Sequence, residues 1–215
     1  MAWHAVDPAT VAKRLGEHEI HLWRLPYRPA LRRAPLLALL AAYLQCPAEA
    51  IALRQGEYGR PALALEQPHT LDFNWSHSGE QALVAIAHGI APGIDLERIR
   101  PRRSAMEIAR RYFAADELAW LETIDERASR ELAFLRLWTA KEAVLKAHGR
   151  GIAFGLDRLS IDMRQTQPHL LRLEHEHVEH WQLHALPLGQ DYLGALAWRG
   201  APRTLRGHLL AGNQR

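Results

Sequence analysis

The segment Leu132–Ala147 constrains this 215-residue chain more than any other. Phe134, Leu135, Leu137, Trp138, Val144 and Leu145 cover nearly the whole circumference of a helix, so the segment is expected to be buried rather than to lie on a surface. We read the helix over Ser129–His148, with Ser129 as its cap and Gly149 as its stop. Glu142 and Lys146 stand i, i+4 on it and share a face. Polar residues on such a helix should face a cleft, a ligand or a buried partner. A surface ion pair is the plain alternative; an acid and a base in one cleft could serve as general base and anion stabiliser.

Around this helix the chain alternates helical and strand patterns. Arg32–Gln45 reads as a helix with Leu36, Leu37, Leu39, Leu40, Tyr43 and Leu44 on a broad apolar face. Leu71–Ser76, Ala82–Ala87 and Gly93–Glu97 read as short strands. Arg98–Arg103 reads as a basic linker, and Ser104 with Glu107 has the capping-box spacing of a helix start. Arg158–Met163, Leu170–Glu174, His180–Leu186 and Tyr192–Trp198 read as strands, and the tail after Pro202 is expected to be loose. Helix followed by strands therefore occurs twice, although the two parts share no visible residue-level repeat.

Composition narrows the function. The net charge of +3 suits an anionic small ligand or an acidic partner, and no dense Lys/Arg stripe with interleaved aromatics argues for nucleic acid. Cys46 is the single cysteine, which excludes an intrachain disulfide and a thiol-ligated metal site and fits a cytoplasmic location. No signal peptide is expected from Met1–Thr10, and the longest apolar stretch, Ala34–Leu44, is too short to span a bilayer.

Several groups could carry chemistry. Asp95 and Glu97, i and i+2 on a strand, point to one side, where a bound Mg²⁺ would relieve their repulsion; taken alone, they read first as a solvated strand face. Ser76-His77-Ser78-Gly79 follows a strand, and His77 could bind phosphate, or the segment could be a simple turn. Gly59-Arg60-Pro61 sets an arginine in a rigid turn, where it could fork onto a phosphate, although by itself it reads first as a plain turn with a solvated arginine. Arg28, Arg32 and Arg33 could hold an anion or form a solvated basic face. The Glu174–His180 run of alternating Glu and His reads as a wet hairpin rather than a metal cluster.

Taken in order, Gly59-Arg60-Pro61, Phe73-Asn74-Trp75-Ser76-His77-Ser78, Gly93-Ile94-Asp95-Leu96-Glu97 and Trp138-Thr139-Ala140-Lys141-Glu142-Ala143-Val144-Leu145-Lys146 resemble the Sfp-type (group II) 4′-phosphopantetheinyl transferases. The resemblance implies an α+β fold of two similar α/β halves packed as a pseudo-twofold dimer within one chain, residues 1–98 and 99–215, with the active site between them. It implies transfer of phosphopantetheine from coenzyme A to a serine of an apo acyl, peptidyl or aryl carrier protein, releasing 3′,5′-ADP, by a monomer. Asp95, Glu97 and Glu142 would ligate Mg²⁺, with Mn²⁺ also suited to oxygen ligands. Glu142 would act as general base and Lys146 would stabilise the growing charge. Arg60 and His77 would hold phosphates with Ser76 beside them, and Arg32 or Arg33 would meet the 3′-phosphate. Trp75 stands where relatives usually have an aliphatic residue, and Arg60 where they often have lysine. The linker Arg98–Arg103, Arg102 and Arg103 above all, is a candidate for carrier docking. The competing readings are a non-catalytic coenzyme A- or carrier-binding module and a Mg²⁺-dependent nucleotide phosphohydrolase.

Overall fold

A computed structural model describes residues 1–64 and 70–210. The first part runs β1 (Trp3–Val6), α1 (Pro8–Ala12), β2 (Glu19–Pro26), α2 (Ala34–Leu44), β3 (Leu53–Gln55), β4 (Pro61–Leu63), β5 (Leu71–Ser78) and β6 (Gln81–His88). The second runs β7 (Gly93–Arg98), α3 (Ala105–Tyr112), α4 (Ala115–Glu122), α5 (Arg127–His148), β8 (Leu159–Asp162), β9 (His169–Leu173), β10 (Trp181–Leu186), β11 (Tyr192–Arg199) and β12 (Thr204–Leu210). This is a mixed α+β fold. No helix among the described residues is long and apolar enough to cross a membrane.

The same order appears twice: strand, helix, small hairpin, two strands. In the first set β2, β6 and β5 are neighbours in one antiparallel arrangement; in the second β7, β11 and β10 are. The small hairpins β3–β4 and β8–β9 occupy the same place in each set. The two sheets stack face to face through Ile20, Leu22, Leu83, Ala85, Ile94, Leu96, Leu196 and Trp198. On its outer face the first sheet carries Trp23, Leu25, Phe73, Val84 and Ile86 against Leu36, Leu39 and Leu40 of α2. The second carries Ala195 and Ala197 against α5. The layers are therefore helix, sheet, sheet, helix, and strands buried on both faces lose the polar alternation of a half-exposed sheet.

Three expectations need correction. The tail after Pro202 is not loose: its described part forms β12, which pairs in parallel with both β1 and β2 and sits inside the five-stranded sheet; residues 211–215 lie outside the described residues. Ser104 makes no side-chain cap to α3; the glutamate that reaches back to a helix start is Glu117, whose carboxylate accepts from Ala114 N at 3.0 Å. Helix α5 begins at Arg127, and Glu126 caps it by accepting from the backbone of Ala128 and Ser129, which puts Ser129 inside the first turn. Gly149 does stop it, at φ 91°.

Helix α5 lies very close to β7. A Cβ on Gly93 would stand 2.1 Å from Ala143 O and 2.3 Å from Ala147 N. Backbone on both sides leaves no flexible group to yield, so Gly93→Ala should cost about 3 kcal/mol, the upper end of ordinary overpacking. Urea unfolding measures this, and a change below about 0.5 kcal/mol would contradict so close an approach.

The core beneath α2 holds a polar exception. His21, 2% exposed, shares a hydrogen bond of 2.8 Å with the Tyr43 hydroxyl, which also accepts from Trp23 Nε1 at 2.7 Å. Burial lowers His21 from 6.5 to about 4; the neighbouring His208 and Arg206 add to this and Glu19 opposes it. The unfolded chain therefore binds a proton that the folded one refuses. Stability from His21 is complete above about pH 6.5 and falls as pH drops towards 4, by about 3 kcal/mol in all. Chemical unfolding at pH 7 and pH 4 should show that much more acid loss in the wild type than in His21→Gln; parallel losses would exclude this role.

Candidate active site

The site forms where the edges of the two sheets meet. Strands β5 and β7 lie side by side and are joined by alternate residues of β5. Asn74 Oδ1 accepts from Ile94 N at 2.9 Å, Ser76 Oγ donates to Asp95 Oδ1 at 2.9 Å, and Ser78 Oγ donates to Glu97 Oε2 at 3.2 Å. Asp95 pairs with Ala195, so it shares the sheet face that α5 covers. From α5, Lys146 Nζ donates to Asp95 Oδ1 at 2.7 Å and to Ile94 O at 3.2 Å. Period two on the strands and i, i+4 on the helix thus aim Asp95, Glu97, Glu142 and Lys146 at one region.

The electrostatics follow from crowding three carboxylates with one ammonium. Burial pushes the Glu142 carboxyl up, Lys146 pulls it back, and Asp95 and Glu97 push it further, leaving it at about 7. Burial and then Asp95 raise Glu97, against the pull of Arg102. Asp95 Oδ2 and Glu142 Oε1 are buried and accept no hydrogen bond. A buried carboxylate oxygen without a donor is costly, and a hard divalent cation is the partner that best satisfies it. Among the described residues no three His, Cys, Asp or Glu side chains are already gathered to hold an ion. The donor chemistry nonetheless fits an oxygen-ligated cation.

A cleft of about 230 Å³ opens beside these groups, lined by Tyr58, Arg60, Trp75, Glu142, Lys146 and the Gly149–Gly151 turn. Arg60 lines it, but its fork is turned into the protein: Nη1 and Nη2 hold Asp72 at 3.3 and 3.1 Å, and Nη2 also donates to Phe73 O and Pro92 O, both at 3.0 Å. Those amino groups brace the turn instead of being presented to a phosphate, because three carbonyl or carboxylate partners already surround them. His77 is exposed and stacks on Tyr27 at 4.2 Å; burial and then the charge of Lys146 lower its proton affinity. Arg32 and Arg33 are exposed, do not line the cleft and pair with no described side chain. The Glu174–His180 run is a turn with exposed His175 and His177, and no metal cluster forms there among the described residues.

The linker is less free than its composition suggests. Arg102 lies 3.7 Å from Glu97 Oε1, its guanidinium covers the Trp138 ring at 5.7 Å, and its backbone donates to Glu131. Arg103 remains exposed.

Three contributors escaped the sequence reading. Ser78 steadies Glu97, and its signal was present: Ser76 and Ser78 repeat the i, i+2 spacing of Asp95 and Glu97. Gly93 lets α5 approach. Lys141, fully buried, donates to Glu117 Oε1 and Oε2 at 2.7 and 2.5 Å and to Leu159 O at 2.8 Å, while Glu117 also accepts from Ile161 N. This pair fastens α4 and β8 to α5; no spacing rule links position 117 to 141.

The sequence pattern of the 4′-phosphopantetheinyl transferase superfamily matches residues 91–197. A Synechocystis sp. protein provisionally named as a 4′-phosphopantetheinyl transferase is 34% identical over 172 residues, 77% of this chain and 69% of that protein. The 4′-phosphopantetheinyl transferase HetI of Nostoc sp. is 30% identical over 201 residues, 78% of this chain and 84% of its own. The 4′-phosphopantetheinyl transferase gsp of Aneurinibacillus migulanus is 35% identical over 141 residues, 66% of this chain and 56% of its own. Among solved structures, the holo-[acyl-carrier-protein] synthase of Thermotoga maritima is 18% identical with a TM-score of 0.41, over 52% of this chain and 63% of that one. By these relatives, and above all by the length of HetI that it spans, the chain belongs to the 4′-phosphopantetheinyl transferase superfamily, as a member of its Sfp type.

Proposed function

We propose that this chain transfers the 4′-phosphopantetheine arm of coenzyme A to a serine hydroxyl of an apo acyl, peptidyl or aryl carrier protein and releases 3′,5′-ADP. The observation that carries the reading is Glu142: a carboxylate in a cleft, one oxygen without a partner, its proton affinity raised to about 7, and a lysine one helical turn away. A positioned carboxylate can take the proton of an alcohol as its oxygen attacks. The serine proton passes to Glu142 as the serine oxygen bonds to the β-phosphorus. The bond from that phosphorus to the bridging oxygen breaks, and the electron pair leaves on 3′,5′-ADP. Lys146 offsets the charge that builds on the phosphoryl oxygens. Asp95, Glu97 and Glu142 would hold Mg²⁺ or Mn²⁺, which when bound neutralises pyrophosphate charge. Ser76 and Ser78 fix the first two carboxylates. His77, close enough to feel Lys146, is placed to meet a phosphate, and Arg60 shapes the cleft wall. Coenzyme A reaches beyond a cleft of this size, and the exposed Arg32 and Arg33 are the proposed partners of its 3′-phosphate.

We also read the chain as two halves about a pseudo-twofold axis. The repeated element order supports a boundary in residues 89–92, ahead of β7, in place of Arg98. A monomer acting in the cytoplasm fits the fused halves and the single cysteine. The test is intact mass spectrometry of a panel of apo carriers after incubation with the protein, coenzyme A and Mg²⁺. One phosphopantetheine should be gained by at least one carrier, and lost with chelator or with Glu142→Gln. Coenzyme A binding with no carrier modified would instead support a binding module.

A further inference from the structure

We propose that the Lys146 ammonium is the chain's own stand-in for the divalent cation: it occupies the carboxylate set when no metal is bound, and metal binding drives it off Asp95 and into the cleft. The inference rests on the reading that Asp95, Glu97 and Glu142 form a cation site.

Lys146 sits on Asp95 Oδ1, the oxygen next to the one left without a donor, and a second bond to Ile94 O ties it to β7. A divalent cation shared by Asp95 and Glu142 would have to coexist with that ammonium. Like charges a few ångströms apart repel by several kcal/mol even at the effective dielectric of a protein surface, so the two cations compete. The lysine has somewhere to go: its side chain is 24% exposed, against 7% for Asp95, and it lines the 230 Å³ cleft where a phosphate would arrive. Glu142 one turn back and His77 on β5 are the other titratable groups that feel its charge.

The choice of side chain is informative. Of 27 Lys and Arg residues only Lys13, Lys141 and Lys146 are lysines. A compact ammonium on a flexible stem can replace a metal ion and then swing away, whereas a planar guanidinium can do neither as well. Lys141, five residues earlier on the same helix, shows the contrast: it is fully buried and three acceptors hold it in the core.

Isothermal titration of the coenzyme-free protein with MgCl₂ tests the exchange. Lys146→Met removes the competitor, so its Kd for Mg²⁺ should fall about tenfold relative to wild type, while Lys146→Arg, which keeps the charge, should show no such gain. In wild type labelled with ¹³C at lysine Cε, saturation with Mg²⁺ should move the Lys146 resonance and leave those of Lys13 and Lys141 in place. Equal or weaker Mg²⁺ binding by Lys146→Met, or a stationary Lys146 resonance while wild type binds Mg²⁺, overturns the exchange and leaves the cation site standing. Absence of Mg²⁺ binding by wild type overturns the cation site itself. If Lys146→Met fails to fold, the wild-type resonance decides.

Discussion

Glu142→Gln should lower the rate of carrier modification about 10³-fold and leave the protein at least as stable as wild type at pH 8. The first effect follows from removing a positioned base, which contributes about 10²–10⁴-fold. The second follows from the sign of the proton-affinity shift. A carboxyl raised from 4.5 to about 7 resists ionisation in the folded protein, so its stabilising contribution is whole below about pH 4.5 and is lost as pH rises through 7. At pH 8 the wild type holds an ionised Glu142 against burial, Asp95 and Glu97; an isosteric amide removes that repulsion. A large loss of activity without a loss of stability is the signature of a group kept for chemistry. Single-turnover kinetics and thermal melts of both proteins measure it. A stability loss of the same size as that of a core variant would instead make Glu142 a packing residue.

Lys141→Met should destabilise the protein by about 3–5 kcal/mol, because it strands the Glu117 carboxylate in the core with only the Ala114 and Ile161 amides as donors. Burial pushes Glu117 up and Lys141 down, so each is charged mainly because the other is there. Pairing Lys141→Met with Glu117→Gln removes the stranded charge, and the double variant should regain more than half of the loss; the cycle reads the coupling directly by urea unfolding. A loss under about 1 kcal/mol for the single variant would show that the pair is solvated. The motif that contains Lys141 and Glu142 thus serves two ends: one residue locks the helix from behind, the next faces the cleft.

What could be read from the residues and what could not have distinct physical causes. Helix α5 was visible because apolar residues wrap it, and the same wrapping made Glu142 and Lys146 stand out. Strands β5, β6, β7, β10 and β11 were visible as short apolar runs between glycines and turns. Strand β2 was missed because Ile20 and Leu22 face the second sheet while His21, Trp23 and Leu25 face α2, so no polar alternation marks it. Strand β12 was missed because Arg206, Gly207 and His208 interrupt it, and only its parallel partners justify them. Arg60 was assigned to a phosphate because a turn exposes it locally; Asp72, twelve residues on, claims it once β5 folds beside the turn. Side chains set by one element's own periodicity were legible, whereas Arg60 and Lys141, held by partners from other elements, were not placed correctly or at all.

The placement of β12 between β1 and β2 bears on how the molecule is made. Among the described residues strand β1 pairs with β12 and with no other strand, and β12 stands between it and β2. During synthesis the first strand must therefore wait, unpaired and partly apolar, for one that emerges nearly two hundred residues later. Contacts of such separation slow the final assembly and prolong the exposure of an edge that can pair wrongly. The stacked core and α5 can consolidate earlier, so the last step of folding would be the threading of a single strand into a waiting gap, and a fusion or truncation near Thr204 would act on that step before it touched the cleft beside Glu142.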